Sequence, residues 1–187
     1  MPTLILALLA LAQTEEPRPK LPHVPMYGLN AGTYLPASAA VRTRFGGNWF
    51  SFSPGLGPVI PPPIPMLMSD TTLMTQAKQV GAFNNRAFMA LLGAQYQWPL
   101  YSLKPVEGEK LRLPTFMPYA GVSLGGAYAN LRSEADGLNT GSVAPYGSVY
   151  IGTAVGMGAF AEARWRSVGA LHGLNLSGLE LGVGLRF

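Results

Sequence analysis

The sequence lacks cysteine and is poor in charge. Without a cysteine among 187 residues, no disulfide framework, thiolate nucleophile or cysteine zinc site can form. Asp, Glu, Lys and Arg together make up 12% of the chain, about half of the fraction usual in globular domains. The 13 basic residues form no cluster of the kind that marks a nucleic-acid surface. The apolar content of 48% excludes a disordered chain.

The sequence also lacks an apolar run long enough for a membrane-spanning helix, which needs about 20 residues. Its N-terminal run, Leu4–Ala12, has nine residues. The run ends in Ala10-Leu11-Ala12, the small-x-small pattern of signal-peptide cleavage. We therefore expect residues 1–12 to be a signal peptide. Residues 13–25 are rich in proline and charge and predict an extended periplasmic leader.

From residue 26 to residue 187, short stretches alternate between two faces with a period of two, which is the pattern of β-strands. A weak eighth strand at 66–75 contains Asp70 and is accepted because the up-and-down topology needs it. With eight strands, residues 38–46, 80–85 and 132–141 are predicted to be loops. The prolines from Pro58 to Pro65 are assigned to a turn, since proline is excluded from central strand positions. The clearer strands are predicted at 26–35, 47–56, 88–98, 118–130, 145–155, 158–168 and 179–187.

The placement of charge predicts the surroundings of the apolar faces. Five predicted strands contain no charged residue, and charges such as Lys78, Arg86 and Arg132 fall between strands. In the last two strands the charges lie on the face opposite the large apolar side chains. In a soluble sandwich the charged face would point to water and the apolar face to the core. In a transmembrane barrel the charged face points to the lumen and the apolar face to lipid. The pattern predicts an all-β fold, an eight-stranded antiparallel up-and-down transmembrane β-barrel over residues 26–187, with a polar lumen. A soluble lipocalin-like barrel is the alternative, but it requires the apolar faces to point inward.

Aromatic residues lie near the ends of the apolar faces. Phe88 and Trp98 are ten residues apart on one face. At about 3.3 Å per residue and a tilt of about 40°, this separation covers about 25 Å of membrane height. Two aromatic girdles are therefore predicted, from Phe88, Tyr96, Trp98, Tyr128 and Trp165.

The face opposite the apolar one predicts a charge cluster in the lumen. Neighbouring antiparallel strands bring such side chains within reach of each other, so we expect Arg164 to bridge Glu162 or Glu180. Eight strands enclose an interior that side chains can fill, and the lumen is predicted to be largely obstructed. The predicted cluster is Glu162, Arg164, Arg166, Glu180 and Arg186, with further polar bulk from Gln95, Tyr119, Tyr146 and Tyr150.

Two parts of the sequence resemble bacterial outer-membrane proteins. The residues Leu179, Leu181, Val183, Leu185 and Phe187 resemble their C-terminal assembly signal, which ends on phenylalanine. The segments 32–36 and 118–125 resemble strands of small eight-stranded barrels of the OmpW, OmpX and OmpA-barrel type. The resemblance implies the outer membrane of a diderm bacterium, with the N- and C-termini periplasmic. It also implies contact with the lipid bilayer and lipopolysaccharide, and insertion by the outer-membrane assembly machinery.

Candidate chemistry is sparse, and the resemblance implies no single activity. The two histidines, His23 and His172, are too few for a convincing metal site. A lipid-modifying enzyme of the outer leaflet would need a histidine, a serine and a carboxylate close together. The nearest set is His172, Ser177 and Glu180. However, the side chains of Ser177 and Glu180 are expected to point to opposite faces of the strand, because the two positions differ by an odd number. We therefore expect no catalysis, metal, cofactor or nucleic-acid partner.

Two functional interpretations stay open. The first is a non-catalytic barrel with a structural or small-solute role. The second is a ligand- or partner-binding barrel, including a subunit of a larger envelope complex.

Overall fold

The computed structural model describes residues 25–58, 66–101, 115–156 and 158–186. Eight antiparallel strands close into a barrel in chain order, and the last strand pairs with the first. The fold class predicted from the alternation is confirmed. The strands are Pro25–Pro36 (β1), Trp49–Pro58 (β2), Met66–Val80 (β3), Phe83–Pro99 (β4), Phe116–Ser133 (β5), Leu138–Val155 (β6), Ala159–Val168 (β7) and Gly178–Arg186 (β8).

Several predictions concern residues outside this description. The signal peptide 1–12, all but the last residue of the leader, the prolines 61–65 and Phe187 lie outside the described residues. Among the described residues, Pro58 is the last residue of β2 and not part of the predicted proline-rich turn. The weakly predicted strand at 66–75 is present and continues to Val80.

The predicted outward faces are apolar and exposed. Leu92 on β4 and Leu124 on β5 expose 70% and 72% of their surface. Along both strands, exposed and buried residues alternate over most of the length. An apolar band of this kind, continuous around a closed barrel, is typical of barrels that stand in lipid. Among the described residues, no helix is long and apolar enough to span a bilayer.

Four strands are longer than predicted. β3, β4, β5 and β6 contain 15 to 18 residues, whereas about 9–11 residues cross a membrane. The loops expected at 80–85 and 132–141 are therefore wrong. The first is a two-residue turn at Gly81-Ala82, and the second is a turn at 134–137. Gly81 has a φ of +61°, which glycine adopts without strain.

The predicted loop Ser38–Gly46 contains a short helix, Ala39–Phe45 (α1). The Ser38 side chain accepts a hydrogen bond from the Val41 amide and caps its start. Gly46, with a φ of +95°, ends it. Val41 and Phe45 are spaced four residues apart, so they share one helix face, and both are fully buried. The helix therefore lies at the end of the barrel that carries the turns 81–82 and 134–137.

The interior is not polar throughout, which corrects the predicted polar lumen. Apolar side chains from the lumen faces of β3, β4 and β5 pack together with α1 and with the connection 169–177. We call this set the apolar layer. A narrow lumen excludes water, so apolar side chains gain from burial there, about 1.5–3 kcal/mol for each large one. The layer includes Val41, Phe45, Trp49, Met74, Met89, Leu91, Ala127, Ala129, Leu131, Leu171, Leu174 and Leu176.

Candidate functional site

A buried charge network crosses the lumen with Asp70 at its centre. Asp70 on β3 is 3% exposed. Its Oδ2 atom accepts hydrogen bonds of 3.0 Å from both Arg164 and Arg166 on β7. β3 and β7 are four strands apart in either direction around the barrel. The side chains therefore join opposite walls of the barrel.

Besides Asp70 on β3, Arg164 has partners on three further strands. Its Nη2 atom lies 2.7 Å from Glu162 Oε1 and donates to Gln95 Oε1 at 2.9 Å. The guanidinium carbon lies 4.1 Å from the centre of the Tyr150 ring, in a cation–π contact. Of the two partners expected from the sequence, the one that Arg164 bridges is Glu162.

Arg166 holds the other glutamate. Its Nε atom donates to Glu180 Oε2 at 2.7 Å, and its Nη2 atom donates to Thr72 Oγ1 at 2.7 Å. Arg166 is 1% exposed. In register Glu180 stands opposite Arg164, so the pair that forms is the diagonal one. Because Glu180 pairs with Arg166, Arg164 binds Glu162 on its own strand.

Hydroxyl groups complete the shell around Asp70. Ser123 Oγ and Tyr146 OH donate to Asp70 Oδ2 at 2.6 and 2.9 Å. Because the single Ser123 proton is used there, Ser148, 2.5 Å away, acts as its donor. A buried carboxylate with this many donors is compensated for the loss of water. These donors therefore join the two ion pairs and the hydroxyl groups into one buried network.

The described network contains more carboxylates than guanidinium groups. Asp70, Glu162 and Glu180 face Arg164 and Arg166. Removing one partner of a buried ion pair leaves an uncompensated charge and costs about 3–5 kcal/mol. Of the predicted cluster, four members lie in the network, and the side chain of Arg186 lies outside the described residues.

Glycines make room for the tyrosine rings of the network. A Cβ atom at Gly121 would lie 2.2 Å from Tyr150 Cζ, and one at Gly93 would lie 2.6 Å from Tyr146 OH. Real Cβ atoms do not approach other atoms so closely, so a larger residue would displace the rings. The glycine-rich lumen faces in the sequence therefore allow bulky polar side chains to fill a small barrel.

The residues predicted as aromatic girdles all lie on the outer surface. Phe88 and Tyr128 lie in the parts of β4 and β5 near the turns 81–82 and 134–137. Tyr96 and Trp98 lie near the other end, with ring centres 4.9 Å apart. Trp165, on β7, is 45% exposed. Leu181, Val183 and Leu185 of the predicted assembly signal also point outward.

The candidate hydrolase set is not assembled. Ser177 Oγ donates to the carbonyl of Val168 and accepts from its amide. Glu180 is bound to Arg166 inside the barrel, and His172 contacts Thr140 in an exposed position. No group of three or more potential metal ligands occurs in the part of the chain that the structure describes.

The sequence analysis missed the residue at the centre of the network. In the sequence Asp70 only interrupts a weak strand, and neither Asp70 nor Thr72 is predicted to face the lumen. Ser123 and Ser148 fall on the predicted lumen face but are not part of the predicted charge cluster. One signal was available. The predicted cluster held three arginines and two glutamates, so a further lumen carboxylate was needed for balance.

Comparison with known proteins supports the fold. Neither a protein-family model nor a curated protein matches the sequence. The crystal structure of Neisserial surface protein A is similar with a TM-score of 0.59 and 15% identity, covering 87% of this chain and 95% of that one. The chain therefore has the fold of the small eight-stranded outer-membrane barrels.

Two further solved structures align over the same share of the chain. Ail, the attachment invasion locus protein of Yersinia pestis, has a TM-score of 0.47 and 9% identity, covering 87% of this chain and 96% of that one. The N-terminal β-barrel domain of Pseudomonas aeruginosa OprF has a TM-score of 0.46 and 15% identity, with coverage of 87% and 97%.

Proposed function

We propose that this protein is a non-catalytic, structural barrel of the outer membrane whose lumen is closed to ions and solutes. The observation that carries the proposal is the contact of Asp70 with Arg166, which crosses the barrel at 3.0 Å. Side chains that meet in the middle of a lumen occupy the path that a solute would take.

The apolar layer supports closure at a second level. Met89 and Leu91 are at most 1% exposed, and α1 packs over the same end of the barrel. An ion would have to shed its water to pass such a layer, as it does at hydrophobic constrictions that stop conduction. A small-solute conduit would need both levels to open.

The outward surface supports the membrane location. Apolar side chains lie between two groups of exposed aromatic residues, as in barrels that stand in lipid. In our proposal both termini are periplasmic, and α1 and the turns 81–82 and 134–137 lie outside the cell. The barrel contacts the lipid bilayer and lipopolysaccharide and is inserted by the outer-membrane assembly machinery.

Recordings in planar lipid bilayers test the closed lumen. The purified wild-type protein is added beside a general porin as a positive control and a detergent blank as a negative one. We expect no steady current above the blank. Reproducible unitary currents from the wild-type protein would refute the proposal and favour the small-solute interpretation.

A partner-binding barrel is the second candidate function. It is favoured by the tip of the β3–β4 hairpin, where Val80 and Phe83 pair with each other and are 38% and 49% exposed. Cross-linking in intact cells, followed by purification, compares wild type with a Val80→Ser/Phe83→Ser variant. A defined adduct that the variant loses supports a partner there, and the same adduct pattern from both proteins argues against one.

A further inference from the structure

Two arginines stand directly opposite each other on the outer surface of the barrel. Arg86 on β4 and Arg132 on β5 are partners in the strand register, and both are exposed. Like charges directly opposite on one face of a sheet destabilise it. Such a pair therefore points to an anion that binds between the two side chains.

The arginines have little compensation within the chain. Among the described residues, Arg86 has no hydrogen bond or ion pair. Arg132 lies 3.8 Å from Glu134 Oε1, with both side chains substantially exposed, and exposed pairs of this kind contribute little. Glu134 also accepts a hydrogen bond of 2.8 Å from the Asn84 amide through its other carboxylate oxygen.

The pair lies at the border of the apolar surface. Along β4, Arg86 comes two residues before Phe88 on the same outward face, and Leu92 continues that face at 70% exposure. Along β5, Arg132 follows Tyr128 on the outward face. A ligand that fits both regions is an amphiphile, with an anionic group at the arginines and acyl chains on the leucine-rich surface.

We propose that Arg86 and Arg132 bind the phosphate group of an outer-leaflet lipid. The inference rests on the proposed function, because it needs this end of the barrel to face the outer leaflet. Two guanidinium groups offer paired donors that match phosphate oxygens. A phosphate monoester carries about −1.5 to −2 charges near neutral pH, so two arginines prefer it to a zwitterionic phosphodiester.

Native mass spectrometry of the purified full chain in detergent tests this site. The probes are lipid A with its phosphate monoesters, the same lipid after dephosphorylation, phosphatidylethanolamine and inorganic phosphate. We expect the wild-type protein to retain phosphorylated lipid A preferentially. An Arg86→Gln/Arg132→Gln variant should lose at least about tenfold of this affinity, since charged hydrogen bonds contribute about 1.5–3 kcal/mol.

The control is Arg42→Gln, because Arg42 is also exposed but lies on α1. It should bind lipid A as the wild type does. Equal affinity of the wild-type and double-variant proteins would overturn the proposal, and so would equal affinity for the dephosphorylated lipid. Displacement of the lipid by equimolar inorganic phosphate would show a site for free anions instead.

Unfolding by denaturant tests the arginine pair separately from the proposed membrane location. In lipid-free detergent the double variant should unfold at an equal or higher denaturant concentration than the wild type, because like-charge repulsion is removed. Phosphorylated lipid A should then stabilise only the wild type. Failure of the membrane proposal would appear differently, as no retention of any of the lipids by wild type or control.

Discussion

Asp70 and Arg166 stand on opposite walls of the barrel, and their side chains meet across it at 3.0 Å. They are 96 residues apart in the sequence, so closure of the barrel alone brings them together. The contact therefore belongs to the folded state, and it supports the proposed closure of the lumen. Replacement of either residue should therefore have a measurable effect on the stability of the barrel.

Asp70→Ala should destabilise the barrel by about 3 kcal/mol or more, because Arg164, Arg166 and two hydroxyl groups lose their shared acceptor, at about 1–3 kcal/mol for each unsatisfied buried donor. Guanidinium-induced unfolding of the refolded protein in detergent measures the change. Asp70→Asn should cost less, since an amide oxygen still accepts hydrogen bonds. The matched control is Asp136→Ala, whose carboxylate pairs with Arg44 at 3.2 Å in an exposed position and should contribute less than about 1 kcal/mol. Equal costs at the two aspartates would contradict the central role of Asp70.

Gly121→Ala should destabilise the barrel by about 1–3 kcal/mol, the usual cost of overpacking. The new methyl group would meet the Tyr150 ring, on which Arg164 stacks. Gly126→Ala, on the same strand, meets nothing within 4 Å and should be neutral or slightly stabilising. Thermal unfolding of both variants provides the comparison, and a neutral Gly121→Ala would show that the lumen is less tightly packed than described.

Leu124→Arg should cost about 2–4 kcal/mol if this residue faces the middle of the membrane. The control is Asn130→Arg, on the outward face of the same strand but near its outer end, where the cost falls to about 0–1 kcal/mol. Unfolding of each variant in lipid vesicles measures both. If the two substitutions cost the same, the assigned membrane band is wrong.

Deletion of Phe187 should lower the amount of protein in the outer membrane and leave the stability of the refolded barrel almost unchanged. The reason is its place at the end of the segment that resembles the assembly signal. Quantitative blotting of outer-membrane fractions and unfolding of the purified variant give the two readouts. Normal membrane levels would show that the resemblance does not extend to function.

Much of the fold follows from local sequence pattern. Alternation along β8 and along β4 to β7 predicted the strands, their faces and their order. The pattern failed where both faces are polar, as at the end of β3 around Lys78, because hydropathy then has no period to show. It also missed α1. The buried residues of this helix, Val41 and Phe45, pack within the apolar layer, which exists only after the barrel has closed.

The candidate site could be predicted only in part. Glu162, Arg164, Arg166 and Glu180 share a face of two adjacent strands, so parity alone placed them together. Asp70 was not placed, because no local pattern reports contacts across a closed barrel. The apolar layer was missed for a related reason: a rule for lipid-facing and lumen-facing residues does not say how wide the lumen is.

The closed lumen is tested most directly by single-cysteine labelling, since the chain has no native cysteine. Ala129→Cys probes the apolar layer and Ser148→Cys the charge network, where the native residues are 2% and 7% exposed. Ala170→Cys, at an exposed position of the 169–177 connection, is the accessible control. A membrane-impermeant maleimide is applied to the folded protein in vesicles and again after unfolding. We predict rapid labelling of Ala170→Cys and labelling of the two lumen variants only after unfolding. Labelling of either lumen variant in the folded protein at the rate of the control would contradict the account.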